Sequence, residues 1–211
     1  MDNKISIEKF KPQAVIIANG DYPTGSIPLN ILSRAEYVVC CDGGANEYIR
    51  RGFTPHAIVG DGDSLHPDYR EQYKEIIHRD KDQETNDQTK AIKFLIQKGI
   101  TKIAIIGATG KREDHTLGNI ALLIEYMRMG VEVRSYTDYG VFVPCKDSNS
   151  FESFKGEQIS IFNVSAHGFN STGLKYPIYD FTAWWQGTLN QAEKDEFYIT
   201  ATGEYLVMLN Y

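Results

Sequence analysis

Short apolar runs, each followed at once by a segment rich in Gly and Asp, recur five times in the first half of this chain. Helix-like stretches separate the runs, and strands that alternate with helices build a parallel sheet with helices on both faces. The polar segments then all follow the carboxyl ends of strands, which is where open α/β sheets bind ligands. We therefore expect one crevice lined by all five segments. The runs lie at 14–18, 37–41, 57–59, 75–78 and 102–106, and a sixth strand is expected at 131–136.

The sequence pattern changes after Gly140, where the helical spacing of apolar residues disappears. Short β-rich runs separated by Gly, Asn, Ser and Pro predict a small antiparallel sandwich. The expected fold class is thus α/β, with an N-terminal doubly wound, mostly parallel sheet domain at 1–138 and a smaller all-β sandwich domain at 139–211. The expected strands of the second domain are 141–143, 158–164, 181–185, 197–202 and 205–209.

Charge and composition exclude several classes of partner. The net charge of −6 and the absence of a Lys/Arg-rich run argue against nucleic acid. The first 15 residues lack an apolar signal core and no run reaches membrane-spanning length, so we expect a cytoplasmic protein with no membrane partner. Cys40, Cys41 and Cys145 have neither disulfide nor metal-site spacing, which indicates reduced core thiols.

The segment GDGDS at 60–64 is the most suggestive of the five. If it continues the strand before it, Asp61 and Asp63 point the same way and present two carboxylates to one cation. Gly62 would let a ligand approach the backbone, and Ser64 suits a helix cap. The alternative is an ordinary acidic turn, because Gly, Asp and Ser are common turn residues.

Five carboxylates that converge in the crevice would repel one another and raise their pKa values unless a cation neutralised them. Oxygen ligands without nearby His or Cys suit Mg²⁺. For Asp87 the alternative is a simple helix-dipole role, in a helix that we expect to start with Thr85 as cap and Gln88 reaching back to it. The converging carboxylates are those of Asp42, Asp61, Asp63, Asp82 and Asp87.

The segment at 107–115 is Gly-rich, basic and followed by a helix, which makes it a natural anion site. It fits neither the Walker A spacing nor G-x-G-x-x-G. Arg112 could clamp phosphoryl oxygens, although Lys111 and Arg112 could equally be solvated surface charges, and Asp114 could be a helix N-cap. The residues alone thus indicate a metal-dependent enzyme that acts on a nucleotide phosphate.

Four ordered motifs resemble those of the thiamine pyrophosphokinase family: DGGAN at 42–46, GDGDS at 60–64, DQETND at 82–87 and GATGKREDHTLGN at 107–119. TGLKYP at 172–177 is also similar. The resemblance implies an α/β domain, a C-terminal β-sandwich and a homodimer that binds thiamine where domains of the two subunits meet. It further implies ATP as co-substrate and transfer of its pyrophosphate to the thiamine hydroxyl, with Mg²⁺ as cofactor.

The resemblance also implies roles for individual residues. The metal ligands are Asp61, Asp63 and Asp87, which are catalytic together with Arg112. The ATP-binding residues are Asp42, Gly43, Asn46, Thr109, Gly110, Lys111, Arg112, Asp114 and His115. The thiamine-binding residues are Gln83, Asp87, Trp185, Thr188 and Asn190.

The chain departs from the family pattern at two places. Asn86 stands where threonine is often found, and the run at 187–190 lacks the usual serine-rich sequence. Trp184 and Trp185 could stack on a substrate ring or serve as sandwich core and surface aromatics. Two rival functions stay open: a kinase for another alcohol, which would release ADP, and a non-catalytic module that binds thiamine or nucleotide.

Overall fold

The computed structural model describes residues 4–80, 82 and 84–211, and the chain divides into two compact units. The first unit contains residues 12–138, and residues 139–211 belong to the second. The segment that ends at Lys11 also belongs to the second unit, whereas the sequence analysis expected it in the first. Several contacts hold it there: Ile5 forms a parallel bridge with Phe151, Lys4 pairs with Glu196, and Lys9 pairs with Glu152.

The first unit is a doubly wound α/β domain, as predicted. Its strands run parallel in the order β6-β5-β1-β2-β3-β4 within the described residues. The chain order reverses between β1 and β5, which is the switch point of this sheet. The strands are β1 (Ala14–Ile17), β2 (Val38–Cys41), β3 (Ala57–Gly60), β4 (Ile77–Arg79), β5 (Lys102–Ile106) and β6 (Glu132–Tyr136). The helices are α1 (Ser26–Ser33), α2 (Asp42–Arg50), α3 (Pro67–Gln72), α4 (Asp87–Gln97) and α5 (Glu113–Arg128).

The central strands are apolar because they are covered on both faces. Every residue of β1, β2 and β3 is buried, which suits parallel strands between two helix layers. Cys40 and Cys41 lie within β2 and are free thiols, as predicted, and Cys145 is likewise free and buried. The core therefore lies directly under the edge at which the polar segments emerge.

Four helix starts differ from the sequence predictions, and the first two are those of α2 and α4. Helix α2 begins at Asp42 itself, so the 42–46 segment is helical and not a loop. Gly44 makes this possible because a Cβ there would lie 2.6 Å from the Ala18 carbonyl oxygen. Helix α4 is capped by Asn86 and not by Thr85, whose hydroxyl donates to Asp82 instead.

Helix α5 begins at Glu113 with Arg112 at the cap position, so Asp114 is not its N-cap. Helix α3 is capped by His66 and not by Ser64. Asp114 instead pairs with Arg112, and the backbone of Ser64 is bonded to Asp42 and Asn46.

The second unit consists of two antiparallel sheets. Within the described residues one has the order β11-β9-β13-β7 and the other the order β10-β12-β8. The strands are β7 (Gly140–Lys146), β8 (Asn149–Glu152), β9 (Gln158–Asn163), β10 (His167–Thr172), β11 (Asn190–Gln191), β12 (Glu196–Thr202) and β13 (Glu204–Asn210).

The strand predicted at 181–185 does not form. A 3-10 turn at Trp184–Gly187 takes its place. The side chain of Gln186 folds the segment, since its Oε1 accepts from the backbone N–H groups of Thr182 (2.8 Å) and Ala183 (2.9 Å). Aromatic residues here suggested a strand, but a local amide cap competes with strand pairing.

Candidate active site

Three carboxylates converge around Gly60, the last residue of β3. A Cβ at Gly60 would lie 2.8 Å from Asp42 Cβ and 3.3 Å from Asp87 Cγ. Asp42 begins α2, Asp87 begins α4, and Asp61 follows Gly60 directly. The absence of a side chain at Gly60 therefore lets these acids approach one another. We call Asp42, Asp61 and Asp87 the acid cluster.

Asp42 is the most buried member of the acid cluster, with 1% of its surface exposed. Its Oδ2 accepts from the Ser64 N–H at 3.2 Å, while Oδ1 has no hydrogen-bond partner among the described residues. Burial raises the pKa of Asp42, and the charges of Asp87 and Asp61 raise it further, against backbone N–H bonds that lower it. The predicted mutual repulsion is thus present at this residue.

A buried lysine partly neutralises the acid cluster. The Nζ of Lys90 lies 3.1 Å from Asp87 Oδ1, one helical turn along α4, and only 4% of the Lys90 side chain is exposed. A buried ammonium needs a partner, and Asp87 supplies it. Lys90 was not predicted from the sequence, although its i,i+3 spacing from Asp87 was a usable signal.

Asp61 and Asp63 do not lie in an extended segment as predicted. Strand β3 ends at Gly60, and the chain then bends so that Asp61 Oδ1 accepts from the Asp63 N–H at 3.0 Å. Asp63 is exposed and borders an open hollow of about 530 Å³ with Asn46 and His66. Strand alternation therefore does not align the two carboxylates, and the turn interpretation describes the backbone correctly.

Asp82 has partners of its own. Its carboxylate accepts from the Thr85 hydroxyl and the Glu84 N–H, each at 2.8 Å, and lies 3.6 Å from Lys93 Nζ. The Thr85 and Glu84 bonds, helped by Lys93, lower the pKa of Asp82. Among the described residues, the contacts at Gly60 and the electrostatics of Asp42 bring together only the acid cluster out of the five expected carboxylates.

The Gly-rich loop after β5 packs against the loop after β1, at the switch point of the sheet. Gly110 has a φ of 81°, and a Cβ there would lie 2.1 Å from Asp21 Oδ2. Lys111 also has a positive φ, of 59°, and its Nζ donates to Asn19 O and Oδ1, both at 3.1 Å. The Thr109 carbonyl accepts from the Asp21 N–H. These contacts fix the backbone of 107–111 at the predicted anion site.

Arg112 points at its own loop. Its Nε lies 3.1 Å from Asp114 Oδ1 and a terminal nitrogen lies 2.5 Å from Oδ2. This pair raises the pKa of Arg112 and lowers that of Asp114. Both side chains are exposed, and so is His115, whose backbone N–H donates to Asp114. A ligand phosphate would have to exchange with Asp114 for the guanidinium.

Gly43 and Asn46 have structural contacts on α2. A Cβ at Gly43 would lie 2.1 Å from Asn19 Nδ2, so this glycine lets α2 pack on the loop after β1. Asn46 Nδ2 donates to the Ser64 carbonyl at 2.7 Å, and its Oδ1 accepts from the His66 N–H at 2.8 Å. Both polar groups of Asn46 therefore hold the 64–66 loop.

The predicted thiamine-binding residues of the second unit are not equivalent to one another. Trp185 is 73% exposed in the 3-10 turn, and Thr188 after it is partly buried, with its hydroxyl donating to the Trp185 carbonyl at 2.7 Å. Asn190 is buried, and its side-chain amide bridges the backbone N–H and carbonyl of Tyr176 at 3.1 and 2.9 Å. Thr188 and Asn190 also line a hollow of about 410 Å³ with Tyr179. Gln83 lies outside the described residues.

A doubly wound sheet that brings carboxylates and a Gly-rich loop to one edge is typical of α/β enzymes that transfer phosphate groups. Two family models specify the kind. The model described as "Thiamin pyrophosphokinase, catalytic domain" matches residues 29–134, and "Thiamin pyrophosphokinase, substrate-binding domain" matches residues 140–208. The chain therefore belongs to the thiamin pyrophosphokinase family, which confirms the resemblance inferred from its motifs.

Individual relatives agree with this assignment. "Thiamine pyrophosphokinase 1" of Oryza sativa subsp. japonica is 26% identical and aligns with 92% of this chain and 85% of that protein. The solved thiamin pyrophosphokinase from Candida albicans has a TM-score of 0.79 at 18% identity, covering 99% of this chain and 92% of that one. The enzyme from Bacillus subtilis has a TM-score of 0.75 at 20% identity, covering 93% and 98%. These structures confirm the fold class.

Proposed function

We propose that this chain carries out the reaction of its family with Mg-ATP as donor, so that pyrophosphate passes to the thiamine hydroxyl and thiamine diphosphate and AMP are released. The observation that carries the proposal is the convergence of the acid cluster around Gly60, at the ligand-binding edge of the sheet. The catalytic-domain match includes this edge, and the second match supports a substrate-binding role for the other unit.

The donor atoms at this edge suit Mg²⁺. They are carboxylate oxygens, and Asp42 Oδ1 is buried without a partner among the described residues. Asp61 and Asp63 would hold the ion, with Asp87 as a third ligand. The described residues contain no group of three or more His, Cys, Asp or Glu side chains arranged as a metal site. Mg²⁺ does not need one, since it usually binds through one or two carboxylates, water and substrate phosphates, whose charge it neutralises.

Asp87 would also orient the alcohol. Lys90 donates to its Oδ1, so Oδ2 is the oxygen that would accept a hydrogen bond from the thiamine hydroxyl. The same contact fixes the carboxylate at the start of α4, because the lysine stem is buried. The hydroxyl would then attack the β-phosphorus in line with the departing AMP, a reaction that depends mainly on positioning.

The phosphates of ATP would lie on the Gly-rich loop. Thr109, Gly110 and Lys111 present backbone groups beside the N-terminus of α5, and Arg112 would turn from Asp114 to the phosphate oxygens. Asp42, Gly43, His115 and Asn46 complete the predicted ATP site. The contacts of Asn46 suggest that it acts by holding the 64–66 loop.

The thiamine side is proposed from the family resemblance. The exposed Trp185, the partly buried Thr188 and Gln83 remain candidates for contact with the substrate, whereas the Asn190 amide is engaged by Tyr176. A homodimer that joins domains of two subunits and a cytoplasmic location are part of the same proposal. No described helix is long and apolar enough to cross a membrane.

The test is to mix the purified protein with ATP, Mg²⁺ and thiamine and to separate the nucleotide products by chromatography. Metal-dependent formation of AMP and thiamine diphosphate would support the proposal. Release of ADP would indicate a kinase for an alcohol, and binding of thiamine or ATP without turnover would indicate a binding module. Either of these results would overturn the proposed reaction.

A further inference from the structure

One side chain joins the acid cluster's helix to the Gly-rich loop. Asn119, in the second turn of α5, donates from Nδ2 to the Ala108 carbonyl at 2.8 Å. Its Oδ1 accepts from Asn86 Nδ2 at 2.9 Å. Asn86 is the residue before Asp87, and Ala108 lies in the Gly-rich loop. A single amide therefore contacts both halves of the proposed site.

Asn86 uses its two polar atoms for two different purposes. Its Oδ1 caps α4 by accepting from the Thr89 N–H and hydroxyl, both at 2.9 Å. Its Nδ2 is thereby aimed at Asn119. An aspartate could perform the capping equally well, because Asp and Asn are comparable N-caps, but it could not donate to Asn119. Capping and bridging can therefore be separated by one isosteric substitution.

The bridge is backed by a buried network between α4 and α5. Gln88 Nε2 lies 3.2 Å from the Asn119 carbonyl and 3.3 Å from the Tyr126 hydroxyl, which lies 2.8 Å from Thr89 Oγ1. Tyr126 is fully buried, and burial raises its pKa to about 12. The hydroxyl thus stays protonated at neutral pH. Gln88 Oε1 has no hydrogen-bond partner among the described residues, so the network is incomplete, but its three hydrogen bonds still join α4 to α5.

We propose that Asn86 and Asn119 form a positioning pair, which holds Asp87 in register with the phosphate-binding loop. This inference rests on the proposed function, because the loop and Asp87 are its ATP and alcohol sites. Neither residue needs to touch a substrate. The pair acts through the distance between two loops that follow different strands, and a small error in such a distance has a large effect on the rate of in-line transfer.

The direct test is Asn86→Asp, which keeps the cap, removes the hydrogen bond to Asn119 and adds a negative charge, for which the uncharged Asn119→Ala is the control. We expect kcat to fall about tenfold with the KM for thiamine unchanged, because the substrate contacts remain, and the melting temperature to fall only slightly, because the helix cap remains while Asn119 Oδ1 loses its donor. Asn119→Ala should show a fall at least as large. In a double-mutant cycle the two substitutions should be non-additive, since either one breaks the bridge. Full additivity, or wild-type kcat in Asn86→Asp, would overturn the proposal.

A matched control lies on the same sheet at the opposite edge, where the strands begin. Gln13 Oε1 accepts from the backbone N–H groups of Thr101 and Lys102, at 3.2 and 3.0 Å, and so ties the start of β1 to the start of β5. Gln13→Leu removes an amide tie of the same kind, remote from the carboxyl edge. We expect its kcat to match that of the wild type.

A second readout does not depend on activity. Hydrogen exchange of the protein without substrates should be faster in peptides covering 107–112 in Asn86→Asp than in the wild type, although the substitution lies in another loop. Unchanged exchange at 107–112 would overturn the proposed positioning role of the pair, whatever the substrate of the protein proves to be. If exchange at 107–112 is faster in Asn86→Asp but the wild type makes no thiamine diphosphate, the proposed function is rejected and the bridge between Asn86 and Asn119 is retained.

Discussion

Each unit contains a buried acid with one unpartnered oxygen, and the two acids differ in what surrounds them. Asp42 in the first unit is 1% exposed and faces Asp61 and Asp87. Glu157 in the second unit is 2% exposed, and its Oε2 has no partner among the described residues. Burial raises the pKa of Glu157 to about 7, and the one opposing interaction is a backbone N–H of Phe154.

The difference teaches what distinguishes a site from an isolated buried charge. Around Asp42 several charged groups from different elements meet, and Lys90 supplies a buried cation beside them. Among the residues that the structure describes, no charged group contributes to the pKa shift of Glu157. A raised pKa therefore does not identify a functional residue unless other charges converge on the same point.

The sharpest way to break this comparison is to neutralise one acid in each unit. Asp87→Asn should lower turnover about 10³-fold or more, because the proposed metal ligand and hydroxyl acceptor is lost. Glu157→Gln is the matched control, and its kcat should equal that of the wild type. Steady-state assays of both variants, with circular dichroism to check folding, decide the matter. Equal losses of turnover in both variants would show that the two acids do not differ in their importance for the reaction.

The buried Glu157 of the second unit should make the stability of the protein depend on pH. The pKa of Glu157 is raised from its ordinary 4.5 to about 7 in the folded state. Stability from this group is therefore complete below about pH 4.5 and is lost as the pH rises through about 7. Glu157→Gln keeps an acceptor for the Phe154 N–H, so it should be more stable than the wild type at pH 8 by about 3 kcal/mol.

That difference should disappear at pH 4.5. Urea unfolding of both proteins across this range gives the measurement, and the difference between the two curves cancels the contribution of other groups. Parallel curves would contradict the raised pKa of Glu157.

Gly60→Ala tests whether the acid cluster requires a residue without a side chain at the end of β3. The new Cβ would lie 2.8 Å from Asp42 Cβ, so the acid cluster must spread. We expect a loss of about 2 kcal/mol in unfolding free energy together with lower kcat. The control is Gly118→Ala in α5, where a Cβ meets nothing within 4 Å. It should stabilise the protein by about 0.5–1 kcal/mol.

The smallest effect is expected from the buried cation. Lys90→Met removes the ammonium beside Asp87, whose side chain is 32% exposed and can therefore be partly screened by water. We expect a loss of about 1–2 kcal/mol, below the range for fully buried pairs. Lys93→Met removes an exposed partner of Asp82 on the same helix and should cost less than about 1 kcal/mol. Equal melting temperatures would refute the special position of Lys90.

Much of the first unit could be predicted from the sequence because its signals are local and repeated. Buried parallel strands are continuous apolar runs, so the strands of the first unit were located to within about two residues, including β4, which is only partly buried. Helix starts were harder, since Thr85 and Asn86 are both good caps and only the tertiary contact to Asn119 favours the second. Strands β8 and β10 are polar, and no apolar pattern indicated them.

The site was predictable in composition but not in geometry. The motifs named Asp42, Asp61 and Asp87, yet their meeting point depends on Gly60 and on where α2 and α4 begin. Asn119 was missed because its role comes from contacts between separate elements, whereas Lys90 pairs with Asp87 one turn away on the same helix and could have been found from that spacing. Strand alternation misplaced Asp63, since an Asx turn at Asp61 replaces the extended backbone.

The free cysteines can report when each unit of the molecule opens. Cys41 precedes Asp42 by one peptide bond, and burial, with the nearby acids, raises its thiol pKa far above the ordinary value. Because only the thiolate is alkylated, labelling of Cys41 requires β2 to separate from its neighbours and dismantle the acid cluster. Cys145 gives the same information for β7 in the second unit. Mass spectrometry of alkylated peptides would therefore time the opening of each unit separately, and a bound nucleotide should delay modification of Cys41 while leaving Cys145 unaffected.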